Sequence, residues 1–76
     1  MKFTIYGTGC AKCKQLTANA EEAANAKGVK YEIEKVTDTT AIIDAGIMRT
    51  PALAIDGEIV IEGKVANADE IQHLLP

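Results

Sequence analysis

The stretch that decides the fold is Gly7-Thr8-Gly9-Cys10-Ala11-Lys12-Cys13, residues 7–13, in which two cysteines follow a glycine-rich turn. From Lys2 to Ile5, polar and apolar residues alternate, and this period of two predicts a strand. Residues 11–27 contain no glycine or proline and are rich in alanine, which predicts an amphipathic helix. The two cysteines are therefore expected where a strand turns into a helix.

The middle of the chain predicts one more strand and one more helix. Gly28 is expected to cap the long helix, and the alternation from Val29 to Glu34 predicts a half-exposed edge strand. A short helix is expected over residues 38–45, where the first residue, an aspartate, can cap it. Its apolar side chains Ile42 and Ile43 are expected to face inward.

The last third of the chain predicts a hairpin and a closing helix. Two apolar runs, Ala52 to Ile55 and Glu58 to Ile61, flank Asp56-Gly57, a dipeptide typical of two-residue hairpin turns. Asn67 with Glu70 three residues later resembles a capping box and predicts a helix that begins there. The apolar stripe of this helix consists of Ile71, Leu74 and Leu75.

These elements predict an α/β domain in the order strand, helix, strand, helix, strand, strand, helix. A right-handed crossover would make the first two strands parallel, in a four-stranded mixed sheet flanked by helices. At 76 residues the chain has room for one domain, residues 1–76. The expected core is Phe3, Ile5, Leu16, Val29, Ile33, Ile42, Leu53, Ile55, Ile59 and Leu74.

Charge and composition exclude several classes of function. The net charge of −3 and the pI near 5.0 argue against nucleic-acid binding, which needs a basic surface. No apolar run approaches the roughly 20 residues that cross a bilayer, and the first residues lack a signal-peptide pattern. We therefore expect a cytoplasmic protein that binds neither nucleic acid nor membrane. The charged residues of the edge strand discourage pairing, so a monomer is expected.

The spacing of the two cysteines indicates thiol chemistry. Cys10 precedes the predicted helix, where unpaired N–H groups and the helix dipole favour a thiolate, so it is the predicted nucleophile. Cys13 lies about one turn later, in reach of a mixed disulfide on Cys10, and is the predicted resolving thiol. Gly9 would let a partner approach the sulfur, and Ala11 and Lys12 would tune the reduction potential.

Three other interpretations of the cysteine pair compete with redox chemistry. Two unrelated buried thiols are the first, but helical residues three apart after a glycine-rich turn are oddly placed for chance packing. A structural disulfide would close a loop of four residues, worth only about 2 kcal/mol, and would join no separate elements. Paired thiolates also bind soft ions such as Cu(I). The sequence has no second CxxC, and His73 lies in the closing helix, where a surface imidazole is expected. No resident metal or bound cofactor is predicted, although a copper carrier stays open as an alternative.

Taken together, the chain resembles the small archaeal and bacterial thioredoxin-like or glutaredoxin-like redox-active disulfide proteins. The resemblance covers essentially all 76 residues and is carried by GTGCAKC at 7–13, by GIMRTPALAIDG at 46–57 and by the order of elements. It implies a thioredoxin-like fold and a thiol–disulfide oxidoreductase. The sequence departs from larger thioredoxins in having no tryptophan and no acidic residue in the first strand.

The resemblance also implies site residues and partners. Thr50-Pro51 would be the cis-proline step beside the cysteines, with the Thr50 backbone offered to an extended substrate strand. The substrate would be a disulfide-containing protein and the electron donor a thioredoxin-reductase-like enzyme. Copper carriers of ferredoxin-like fold usually have methionine at the position of Thr8, and they lack a Thr-Pro step. A binding module with inert cysteines is the remaining alternative.

Overall fold

The computed structural model describes residues 1–9 and 11–75 of the chain. Its elements are β1 (Lys2–Tyr6), α1 (Ala11–Lys27), β2 (Glu32–Val36), α2 (Thr39–Asp44), β3 (Ala52–Ile55), β4 (Glu58–Glu62) and α3 (Ala68–Leu74). The predicted order of strands and helices is confirmed. None of the helices in residues 1–9 and 11–75 combines the length and the apolar character that crossing a membrane requires.

The strands form one mixed sheet in the order β2-β1-β3-β4. β1 pairs with β2 in parallel and with β3 in antiparallel, and β3 pairs with β4 in antiparallel. An exposed ion pair between Lys2 Nζ and Glu34 Oε1, at 3.4 Å, links β1 to β2. The predicted mixed four-stranded sheet, its parallel first pair and the edge position of β2 are all confirmed.

The predicted start of β2 at Val29 is wrong, because the residues before Glu32 complete the end of α1. Gly28 has a φ of 71° and donates its N–H to the Asn25 carbonyl at 3.1 Å. Val29 donates to the Ala24 carbonyl at 3.1 Å, which completes a Schellman motif. Val29 therefore packs against the core from the helix cap rather than from a strand.

Apolar side chains are buried on both faces of the sheet. The larger cluster joins β1, β3 and β4 to α1 and α3 and includes Phe3, Leu16 and Ile71. The smaller cluster consists of Ile42, Ile47 and Ala52, with Tyr6 and Val36 packed against it. Since neighbouring residues of a strand face opposite ways, Ile5 and Tyr6 divide between the two clusters. The single predicted core is thus two layers, with α2 covering the second.

Two predicted inward residues are exposed because the helices that carry them are short. Ile43 is 65% exposed, since the six-residue α2 buries only Ile42. Leu74 is 43% exposed, because α3 ends there and Leu75, in extended conformation, turns into the core instead.

A bulge in β4 turns Ile59 away from the core. Leu53 pairs with Ile61, whereas the next residue of β3, Ala54, pairs with Ile59, so Val60 is an extra residue on β4. Ile61 therefore takes the core position that was predicted for Ile59, and Ile59 is 37% exposed.

Local sequence signals correctly mark the hairpin and the start of α3. Asp56 and Gly57 have φ of 50° and 89°, the positive pair that a type I′ turn requires. At α3, the Asn67 side chain accepts from the Glu70 backbone and the Glu70 side chain accepts from the Asn67 backbone. The capping box is confirmed.

Candidate active site

Gly7 is the point at which three distant segments meet. It extends the parallel pairing of β1, because its N–H donates to the Val36 carbonyl at 3.0 Å. A Cβ at this position would collide with Cys13 Sγ and would lie 3.4 Å from Cys13 Cβ and 3.9 Å from Pro51 Cα. Only a hydrogen fits on Gly7, and so the glycine lets Cys13 and Pro51 come together beside the end of β1.

Cys13 is the third residue of α1 and is buried, with 5% of its surface exposed. One turn further, the buried Thr17 donates its Oγ1 hydrogen to the Cys13 carbonyl at 2.9 Å. Cys10, the predicted nucleophile, lies outside the described residues. Its role, and that of Cys13 as resolving thiol, stay predictions.

The Thr50–Pro51 peptide bond is cis, as the resemblance implied. Pro51 is fully buried, and its carbonyl accepts from Gly63 N–H at 2.9 Å at the end of β4. Thr50 is exposed, and its backbone N–H and C=O make no hydrogen bond within residues 1–9 and 11–75. Among the described residues, Thr50 thus presents unpaired backbone groups next to Pro51, and substrate binding there stays a prediction.

A small cavity of about 80 Å³ opens beside the Cys13 side chain. This volume has room for a few water molecules but not for a cofactor. Its described lining consists of Ile5, Gly7, Gly9, Cys13, Lys14, Thr17, Lys35 and Thr37. Two lysines therefore border the cavity without a carboxylate among the described lining residues. The sequence gives no sign of Lys35 at this site, because the parallel register that sets it opposite Ile5 is a long-range feature.

The residues predicted to tune the site lie around this cavity or on the first turn of α1. Gly9 has a φ of 88°, and a Cβ there would meet nothing within 4 Å, so backbone conformation rather than space accounts for the glycine. Ala11 begins α1, and both Ala11 and Lys12 are exposed. Their effect on a reduction potential stays a prediction.

His73 interacts within its own helix. Its Nδ1 lies 2.7 Å from the Asp69 carbonyl, in an exposed position near the end of α3. Among the residues that the structure describes, no three side chains of His, Cys, Asp or Glu lie close enough together to hold a metal ion.

A mixed sheet between helices, with a cysteine on the first turn of α1 beside a cis-proline, is a thioredoxin-like fold. The chain matches the family described as Thioredoxin domain over residues 1–76. It is 47% identical over 75 residues to a protein named thioredoxin from Methanothermobacter thermautotrophicus, which covers 99% of this chain and 97% of that protein. It is 42% identical over 71 residues to a thioredoxin from Methanocaldococcus jannaschii, covering 93% of this chain and 81% of the relative.

The chain therefore belongs to the thioredoxin domain family, and the predicted resemblance and fold class are confirmed. Membership of this family supports a thiol–disulfide oxidoreductase in general terms.

Proposed function

We propose that the chain reduces or exchanges disulfide bonds of other proteins through Cys10 and Cys13. The observation that carries the proposal is the convergence of Cys13 Sγ and the Pro51 backbone on Gly7. This packing supports the proposal because it brings the side chain of Cys13 close to the segment that would hold the substrate. The Thr50 backbone, which has no partner in the part of the chain that the structure describes, would supply the edge on which an extended substrate strand can pair.

The reaction takes place in two exchange steps. The Cys10 thiolate attacks one sulfur of the substrate disulfide, forms an intermolecular disulfide and releases the first substrate thiolate. Cys13, after losing its proton, then attacks Cys10 Sγ and releases the second substrate thiolate. The substrate takes up two electrons and two protons, and the chain is left with an oxidised Cys10–Cys13 pair. No bound cofactor takes part.

Turnover requires an electron donor that restores the dithiol. A thioredoxin-reductase-like enzyme would reduce the Cys10–Cys13 disulfide, and a disulfide-containing protein would be the substrate. We place this cycle in the cytoplasm, where the thiol pool is reducing, and assign it to a monomer of one domain, residues 1–76. Gly9, Ala11 and Lys12 would set the reactivity of the pair, and Thr50 and Pro51 would bind substrate.

The test is reduction of insulin with dithiothreitol as the electron donor. The protein should accelerate the reaction, and Cys10→Ser should abolish the acceleration. Reduced Cys13→Ser, freed of dithiothreitol before it is mixed with the substrate, should accumulate a covalent adduct between Cys10 and the substrate, visible by non-reducing electrophoresis and by mass spectrometry. Circular dichroism of both variants controls for folding. Full activity of folded Cys10→Ser would contradict the mechanism and would favour a binding module or a metal carrier.

A further inference from the structure

The segment that leads into Pro51 is held by the end of β4. Glu62 Oε2 accepts hydrogen bonds from the backbone N–H of Met48 at 2.8 Å and of Arg49 at 3.3 Å. The next residue, Gly63, donates its N–H to the Pro51 carbonyl at 2.9 Å. Hydrogen bonds from β4 therefore fix the backbone on both sides of Thr50.

The side chain of Arg49 adds a third contact between the same segments. A Cβ on Gly63 would lie 2.9 Å from Arg49 Cβ and 3.0 Å from Arg49 Cδ, so the aliphatic part of the arginine packs directly over the glycine. Gly63 also has a φ of 76°, a conformation that favours glycine. The loop of residues 48–51 and the end of β4 thus form one packed unit.

The carboxylate of Glu62 binds this loop and makes no ion pair within residues 1–9 and 11–75. No side-chain nitrogen of a lysine, arginine or histidine in these ranges lies within 4.0 Å of it, although the backbone N–H of Arg49 donates to it. Both of its described hydrogen bonds go to backbone N–H groups of the loop. A charged acceptor shared by two amides is stronger than a neutral one, and here it orders a loop that is otherwise exposed.

We propose that Glu62 is a positioning residue for substrate binding: it holds residues 48–50 so that the Thr50 backbone is preorganised to pair with an extended protein substrate. This inference rests on the proposed function. Strand addition needs N–H and C=O groups in a fixed orientation, and a loop that is already ordered loses less entropy on binding. The described hydrogen bonds of the Glu62 carboxylate go to backbone N–H groups of the loop, so we assign Glu62 to affinity for the protein substrate and not to the exchange steps.

The test compares two substrates with Glu62→Ala and Glu62→Gln. Insulin is turned over with dithiothreitol as the electron donor, and the small aromatic disulfide 5,5′-dithiobis(2-nitrobenzoic acid) is reduced in a single turnover by pre-reduced protein that has been freed of dithiothreitol. Glu62→Ala removes the acceptor of two N–H groups and should raise KM for insulin about 10-fold, with kcat within about 2-fold. Reduction of the small disulfide, which needs no strand pairing, should stay unchanged. Glu62→Gln keeps an acceptor oxygen and should restore KM to within about 3-fold of the wild type. Glu58→Ala, at the exposed start of β4, is the matched control and should leave both substrates unchanged.

Several outcomes would overturn the inference. Equal losses on the two substrates in Glu62→Ala would indicate a general structural role, and an unchanged KM for insulin would show that the loop needs no carboxylate. A Glu62→Gln variant as impaired as Glu62→Ala would show that an acceptor oxygen at this position does not order the loop, against the inference. A wild-type protein that reduces neither substrate would refute the proposed function and the inference that rests on it. This result differs from the other three outcomes, which leave the activity of the wild type intact.

Discussion

Replacement of Gly7 by alanine should disrupt the packing on which the candidate site depends. The new methyl group would overlap Cys13 Sγ and would lie 3.9 Å from Pro51 Cα, at a buried position where the neighbours cannot move into solvent. Overpacking of a folded core typically costs about 1–3 kcal/mol. For a domain of this size, a loss of about 2 kcal/mol lowers Tm by roughly 10 °C. We therefore expect Gly7→Ala to be clearly less stable and to lose turnover.

A double-mutant cycle with Cys13→Ala isolates the cause. If the methyl group conflicts with Sγ, then removing the sulfur should relieve the conflict, and the coupling between the two substitutions should exceed about 1 kcal/mol. Thermal and urea unfolding would measure it. Gly9→Ala is the control, because Gly9 has a positive φ and a Cβ there would meet no neighbour within 4 Å. The loss of stability caused by Gly9→Ala should therefore be the same in the Cys13→Ala background. Additive effects of Gly7→Ala and Cys13→Ala would refute the reasoning.

Two further predictions concern stability. The hydrogen bond from Lys64 and the backbone N–H of Asn67 hold the pKa of Glu70 below its ordinary value of 4.5. Because the pKa is lowered on folding, this stabilisation is complete above pH 4.5 and is lost as the pH falls through the folded pKa. Glu70→Gln should therefore flatten the pH dependence of the free energy of urea unfolding between pH 5 and 3. An unchanged slope would contradict the assignment. Leu16 is fully buried, and Leu16→Ala should lower the free energy of urea unfolding by about 2–5 kcal/mol. Gln15 is exposed, and Gln15→Ala should cost little. A loss below about 1 kcal/mol in Leu16→Ala would contradict the assigned core.

Structural features that depend on residues adjacent in the sequence were predictable from the sequence. The hairpin follows from Asp56-Gly57, since the type I′ turn needs positive φ at both positions. The bounds of α1 follow from a helix-forming segment that lies between a glycine-rich turn and Gly28. Even the cis bond before Pro51 was expected, but from resemblance to a family and not from the residues themselves.

Features that depend on long-range pairing were not predictable. The extra residue Val60 reverses the faces of β4, and nothing in the alternation of the strand marks it. The placement of Lys35 at the cavity that Cys13 also lines depends on the parallel register of β1 and β2. The bonds from Glu62 to the loop before Pro51 join segments that only the folded sheet brings together.

Cys10 and Cys13 are proposed to form a reversible redox pair, and the equilibrium reduction potential of the metal-free protein tests this proposal most directly. Redox titration followed by thiol alkylation and mass spectrometry would count the reduced thiols at each potential, with Cys10→Ser and Cys13→Ser as controls. The predicted result is a reversible two-electron transition between about −300 and −200 mV that is absent from both variants. A protein that shows no such transition and retains metal on purification would contradict the account and favour a thiolate metal carrier.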